Sequence, residues 1–333
     1  LILIGGNAKT FSKQISQNGS PIVHQLGATC DCAKGACMAE DRMDWLDFLR
    51  LLAGVSMVGL HATSDAQGLP FASFPVEDRI GPLLIRAVVY IARTELFLII
   101  SIFLLLFALE RRPRHYHSVI AQQSRRLLLP FAFWTVFYAF YNLNKSYFFG
   151  YQDWVWDQLT TPTVWIEYLV LGTSKYHMHF LPTLFALVLA FPLFRYAVKY
   201  PILGLFILPL LHLKFEVDSF LWAQYQDLPY FDYVIRAVKV ATYCGYGMAA
   251  GACYGLMKSA VRLSDYALVL TAMFLTLFGI KMYATILTAQ TGQWPYNFVP
   301  GFWADFLMPA VLFILFMSIS HRSFPDVVLK SAK

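Results

Sequence analysis

Apolar runs as long as a bilayer is thick leave a chain very few possible folds. Segments such as 265–288 and 302–319 reach the ~18–20 residues that a helix needs to cross the hydrocarbon. Inside lipid every backbone N–H and C=O must find an internal partner, so only helices or closed β-barrels span it. Barrel strands would show as segments of roughly ten residues with alternating hydrophobicity. These runs do not alternate, so the expected fold is an all-α polytopic integral membrane protein. Only 14% of the residues are charged, against about 25% in a soluble domain. The net charge of +6 is gathered in a few short loops. That is a membrane-topology signal rather than a nucleic-acid footprint, so the expected partner is the lipid bilayer and not nucleic acid.

About eight spans are expected, near 45–63, 82–109, 127–143, 179–198, 201–213, 231–256, 265–288 and 302–319. The second is long and is read as kinked, or as entered through an interfacial piece, near Arg86 to Arg93. The sixth is rich in Gly and Ala, which lets helix backbones approach closely. A further apolar stretch, 163–172, is too short to span and is expected to lie at the interface or re-enter. Residues 1–42 are polar and lack helical periodicity, so they are read as a disordered or non-native tail, with Met38 and Met43 as candidate starts. A transmembrane domain over 43–320 and a cytoplasmic C-terminal segment over 321–333 complete the expected organisation.

Placing the N-terminus on the cytoplasmic side puts twelve Lys and Arg residues in inner loops and four in outer loops. That is a clear positive-inside bias, and it implies a multi-pass protein of the inner (cytoplasmic) membrane. The outer loops, 147–156, 222–230 and 293–303, mix Trp and Tyr with Asp and Gln. Rings beside hydrogen-bonding groups suit a carbohydrate surface, and they equally suit an interfacial aromatic belt.

Against this background Arg50 and His61 stand out, because both lie within the first span. Ionisable groups at bilayer depth are costly and usually face a cavity with a task. Eleven positions, about three turns, put the two on one helix face roughly 16 Å apart along the axis. Asp47, one turn before Arg50, is placed to hold its guanidinium. Glu95 is an acid in an apolar helix, read either as a catalytic partner for His61 or as an ion-pair mate of Arg236 or Lys239. Lys281, in the middle of the seventh span, has no evident role. Cys30, Cys32 and Cys37 lack a fourth ligand at a sensible spacing. His177 and His179, two apart, would point away from each other on a helix. No metal is expected.

The Arg50–His61 spacing resembles the signature of the membrane acyltransferase 3 family. Three further elements follow in the same order. Glu95-Leu-Phe-Leu-Ile-Ile-Ser101-Ile-Phe-Leu-Leu is similar to the family's Phe-rich run, with Ile102 where glycine is usual. Arg125-Arg126-Leu-Leu-Leu-Pro130 is similar to the entry into the family's third helix. Tyr176-His177-Met178-His179-Phe180-Leu181-Pro182 resembles its His-x-Trp-Phe-Leu element, with His179 in place of tryptophan. Family members usually have about ten helices and end in a Ser-Phe-Gly-Ile-Tyr-Leu-x-His-like segment. This sequence stops where such a segment would begin, so a truncated C-terminus is expected.

The resemblance implies transfer of an acetyl or succinyl group from cytoplasmic acyl-CoA to a hydroxyl of a surface or periplasmic glycan. The residue chemistry agrees with that expectation. A sugar hydroxyl needs a base, and an imidazole with an unperturbed pKa near 6.5 serves at neutral pH. His61 at the outer end of the span is the candidate base. Arg50, nearer the inner side, is the candidate for gripping phosphate or stabilising the thioester oxyanion. Arg125 and Arg126, at the inner mouth, are candidates for the nucleotide phosphates of the CoA donor. Two other classes compete: a translocase of glycan precursors, and a non-catalytic subunit of a polysaccharide synthesis complex. A translocase would be expected to show internal repeats, and none is evident.

Overall fold

In a computed structural model of the chain, residues 43–63, 71–295 and 297–320 are described, with backbone alone at 60–62 and 176. The expected tail 1–42 and C-terminal segment 321–333 lie outside the described residues, as do Cys30, Cys32 and Cys37. All regular structure among the described residues is helical. The α-helices are α1 (Asp44–Ala62), α2 (Val76–Val89), α3 (Thr94–Arg111), α4 (Tyr116–Phe149), α5 (Gln152–Thr160) and α6 (Pro162–Val170). They continue as α7 (Phe180–Leu189), α8 (Phe191–Lys199), α9 (Ile207–Tyr225), α10 (Phe231–Lys258), α11 (Ala267–Thr291) and α12 (Val299–Ser318). Short 3-10 turns lead into α7, α9 and α11.

By length and apolarity three stretches qualify as membrane spans: Val76–Arg111, Leu263–Thr291 and Val299–Ser318. A fourth is added if α7 and α8, bent by 61° at their junction, count as one. The fold is thus all-α and of membrane type. The segment expected as a fifth span, 201–213, is not among these stretches: it is a 3-10 turn, Pro201–Phe206, and the first part of α9. Helix α9 runs on to Tyr225 because Lys214 turns inward and pairs with Asp218 one turn later, so the charges there do not end the helix.

The kink expected at 86–93 is a true break. Helix α2 stops at Val89 and α3 starts at Thr94, which leaves backbone groups between them without helical partners. Ser56 of α1 supplies two of the missing bonds. Its hydroxyl donates to the Val89 carbonyl and accepts the Ala92 N–H at 3.3 Å. At Gly59 an added Cβ would lie 2.0 Å from Val89, so α1 sits close against this break.

Helix α10 is the central element, packed on α3, α7, α8 and α9. Its small residues make that possible. A Cβ at Gly251 would stand 2.4 Å from the Phe194 carbonyl oxygen, and one at Gly255 2.3 Å from that of Val198. Close approach of this kind replaces the hydrophobic effect, which is absent between helices in lipid. The aromatic core beside it joins Trp45, Phe103, Phe313 and Tyr254 in edge-to-face contacts. At the far end of the bundle Arg79, buried in α2, donates to the carbonyls of Ala289 (2.5 Å) and Gln290 (3.0 Å). Those oxygens end α11 and would otherwise lack partners.

Candidate active site

The α2–α3 break places Arg93 at the N-cap of α3, with its side chain directed inward. Its Nε donates to Glu95 Oε2 at 3.2 Å, and one terminal nitrogen reaches Asp305 Oδ2 of α12 at 3.0 Å. The other Asp305 oxygen takes the Lys281 ammonium of α11. The other Glu95 oxygen accepts the Tyr243 hydroxyl of α10 at 2.5 Å. A continuous chain, Tyr243–Glu95–Arg93–Asp305–Lys281, therefore ties four helices together. Glu95 is 3% exposed and Lys281 7%. Burying such groups costs several kcal/mol per ion even when they are paired, so the chain is poor evidence for stability and good evidence for a task.

Two cavities meet at Arg93, sharing Tyr90 and Phe306 as common walls. The larger, about 370 Å³, lies between α2, α11 and α12 and is bounded by Trp294 and Pro295 of the α11–α12 loop. Arg86, Lys281 and Asp305 line it. The smaller, about 140 Å³, is lined by Met57, Glu95, His177, His179, Lys214 and Lys239, among others. The Arg93 guanidinium lies 4.4 Å from the Phe306 ring centroid and 5.4 Å from that of Tyr90, so it is fixed by faces as well as by carboxylates.

The two histidines enter the smaller cavity from a 3-10 turn, Tyr176–His179, where both side chains reach the same space. On an α-helix two residues at that spacing would diverge; the tighter turn and the chain reversal before it change this. The reversal needs Gly172, whose φ is +72° and whose Cβ would fall 2.6 Å from the His179 Cα. Arg236 holds the segment by donating to Leu171 O (2.8 Å), His179 O (3.1 Å) and Thr183 Oγ1 (3.1 Å). Arg236 is thus not the mate of Glu95: the ion pair of Glu95 is with Arg93, and Lys239 shares the cavity.

At the other end of α3, fifteen residues or about 22 Å from Glu95, Lys258 pairs with Glu110. A cleft of about 310 Å³ opens there, with Arg195, Lys199 and Tyr254 in its walls.

The other residues singled out from the sequence fall as follows. Arg50 is exposed on α1 and donates to Asp47 Oδ1 at 3.1 Å. Arg125 and Arg126 are exposed on α4. None of the three lines a cavity described above. The backbone of His61 lies in the last turn of α1, and its side chain lies outside the described residues. Met57, one turn before it, lines the smaller cavity. Among the described residues no group of three or more His, Cys, Asp or Glu is placed to hold a metal ion. Cys244 and Cys253 are free thiols in the packed length of α10.

Arg93, Asp305, Tyr243 and Lys239 were not singled out as site residues from the sequence, although Lys239 was weighed as a mate for Glu95. An ionisable residue inside a span is a functional candidate by default, and that rule alone would have marked Asp305 and Lys239.

Apolar helices enclosing a charged chamber define a helical membrane protein built around a polar site. A family model described as an acyltransferase domain matches residues 43–330, and the chain belongs to the acyltransferase 3 family, as the Arg50–His61 resemblance implied. It is accordingly an acyltransferase. No curated protein and no solved structure matches the chain.

Proposed function

We propose that this protein moves an acyl group from cytoplasmic acyl-CoA to a hydroxyl of an extracytoplasmic glycan, forming an O-ester. His61 is the general base: its imidazole takes the hydroxyl proton as the oxygen attacks the thioester carbonyl. The C–S bond then breaks, and the departing thiolate of CoA is protonated. Transfer is direct, with acetyl and succinyl as the expected acyl groups. The protein sits in the inner membrane as eight spans with its N-terminus inside. In that orientation Arg50, Arg125 and Arg126 lie toward the side from which the donor enters.

The observation that carries this reading is the register of α1. His61 follows Met57 by one helical turn, and Met57 lines the chamber that holds Glu95, His177 and His179. Glu95, committed to Arg93 and Tyr243, acts as a positioning residue for that chamber. The basic cleft at the opposite end of α3 supports entry of an anionic donor from the other face. The test is mass-spectrometric measurement of ester-linked acyl groups on surface glycans. Cells expressing the full-length parent protein are compared with cells expressing His61→Ala, at matched membrane levels. The ester is expected with the parent and absent with the variant. Ester retained by the variant removes His61 from catalysis, and no ester with the parent favours the translocase or subunit readings.

A further inference from the structure

Attack on a thioester carbonyl puts negative charge on the carbonyl oxygen, and in a water-poor site a donor aimed at that oxygen is worth far more than in water. Arg50, a candidate for this task by sequence, is exposed, donates to Asp47 and lines none of the three cavities. The chamber that Met57 lines, with His61 one turn further along α1, is lined among the described residues by three Lys or Arg side chains: Arg93, Lys214 and Lys239. Two of them are committed. Arg93 is held by Glu95 and Asp305, and Lys214 by Asp218 one turn along α9. Glu95 is committed as well, one oxygen to Arg93 and the other to Tyr243. The Lys239 ammonium lies 5.3 Å from the Tyr243 ring centroid and makes no hydrogen bond or ion pair among the described residues. A lysine carries three N–H donors, and those of Lys239 remain for a substrate.

We propose that Lys239 is a catalytic residue of the transfer, donating to the oxyanion that forms from the thioester carbonyl. The inference rests on the reading with His61 as base and adds the electrophilic half of the same reaction. As His61 takes the hydroxyl proton, the acceptor oxygen bonds to the carbonyl carbon and the C=O π pair moves onto its oxygen. The Lys239 ammonium donates a hydrogen bond to that oxygen and stays protonated. The pair then returns to re-form C=O, and the C–S bond breaks with its electrons leaving on sulfur. The imidazolium hands its proton to the thiolate, so the products are an O-ester and the free thiol of CoA. Two features suit Lys239 to this role. Lys239 and Tyr243 are one turn apart on α10 and share a face, and the Tyr243 hydroxyl is anchored on Glu95 at 2.5 Å, so the ring gives the lysine stem a fixed surface. Lys239 also stands eight residues after Phe231, about 12 Å into α10, and an ionisable side chain inside a membrane bundle is kept for a task.

The test uses permeabilised cells expressing the full-length protein, supplied with radiolabelled acetyl-CoA or succinyl-CoA over a range of concentrations. The initial rate of ester-linked label entering surface glycan is measured for the parent, Lys239→Met, Lys239→Arg and His61→Ala at matched membrane levels. Lys239→Met keeps the length of the stem and removes the charge. It is expected to lower the maximal rate by about 10²–10³-fold, the loss of one oxyanion donor, and to leave the half-saturating donor concentration unchanged. Lys239→Arg restores a donor and is expected to recover part of that rate, which a packing defect would not allow. A Lys239→Met rate within about threefold of the parent overturns the proposal. So does a raised half-saturating concentration at unchanged maximal rate, which would assign Lys239 to holding the donor in its ground state. Loss in both Lys239 variants with a lowered unfolding midpoint in nanodiscs also overturns it, in favour of a structural role. Activity lost in Lys239→Met but kept in His61→Ala supports Lys239 and removes the base assignment. No label with the parent overturns the transfer reading and this inference with it, a result distinct from an active Lys239→Met.

Discussion

Glu95→Gln tests whether the buried charge chain organises the chamber. The side chain keeps its shape and loses its charge. Removing one partner of a buried ion pair costs about 3–5 kcal/mol. Arg93 retains Asp305 at 3.0 Å, so the low end, about 3 kcal/mol, is expected. Tyr243→Phe removes one hydrogen bond to a charged acceptor, worth about 2 kcal/mol. Both changes act through the same carboxylate, so the double variant should lose about 3–4 kcal/mol rather than the sum, a coupling of about 1–2 kcal/mol. At roughly 2 °C per kcal/mol for a domain this large, Glu95→Gln should lower the unfolding midpoint by about 6 °C. The assay is thermal unfolding of all four proteins in the same detergent, with acyl transfer measured on each. Strict additivity, or a Glu95→Gln midpoint within about 1 °C of the parent, would refute the account of Glu95 as the hub of this chain.

Two further outcomes follow from packing. Gly251→Ala drives a methyl to 2.4 Å from a backbone oxygen that cannot move aside, so it should cost about 1–3 kcal/mol. Gly54→Ala, with nothing within 4 Å, should be neutral or stabilising, and the pair is compared by unfolding midpoint. Arg79→Gln strips the carbonyls of Ala289 and Gln290 of their donors. Amide exchange should then quicken in the last turn of α11 and stay unchanged in the middle of α10, as hydrogen–deuterium mass spectrometry would read.

Much of the helical layout was legible because apolar run length is a local property. The break near 86–93 was visible because two arginines and a tyrosine interrupt an otherwise continuous run. The extent of α9 was not, because Lys214, Glu216 and Asp218 look like the edge of a span until the Lys214–Asp218 pair is seen. Glu95 was legible as a lone acid at the head of an apolar run. Its partners were not: Tyr243 lies 148 positions away, and Arg93, at the break just before α3, reads as loop. The shared entry of His177 and His179 into one cavity was hidden too, since it depends on a left-handed glycine and a 3-10 turn rather than on residue spacing. Charge pairing across helices is decided by tertiary packing, on which a linear pattern is silent.

Ser56 gives the site a mechanical property as well as a bonding one. One hydroxyl rivets α1 to both sides of the gap between α2 and α3. A slide of α1 by a single turn would break both bonds together and strand two backbone groups in apolar surroundings. The helix that carries position 61 and the cap that carries Arg93 are therefore tied through a single side chain, and Ser56→Ala would cut both ties at once.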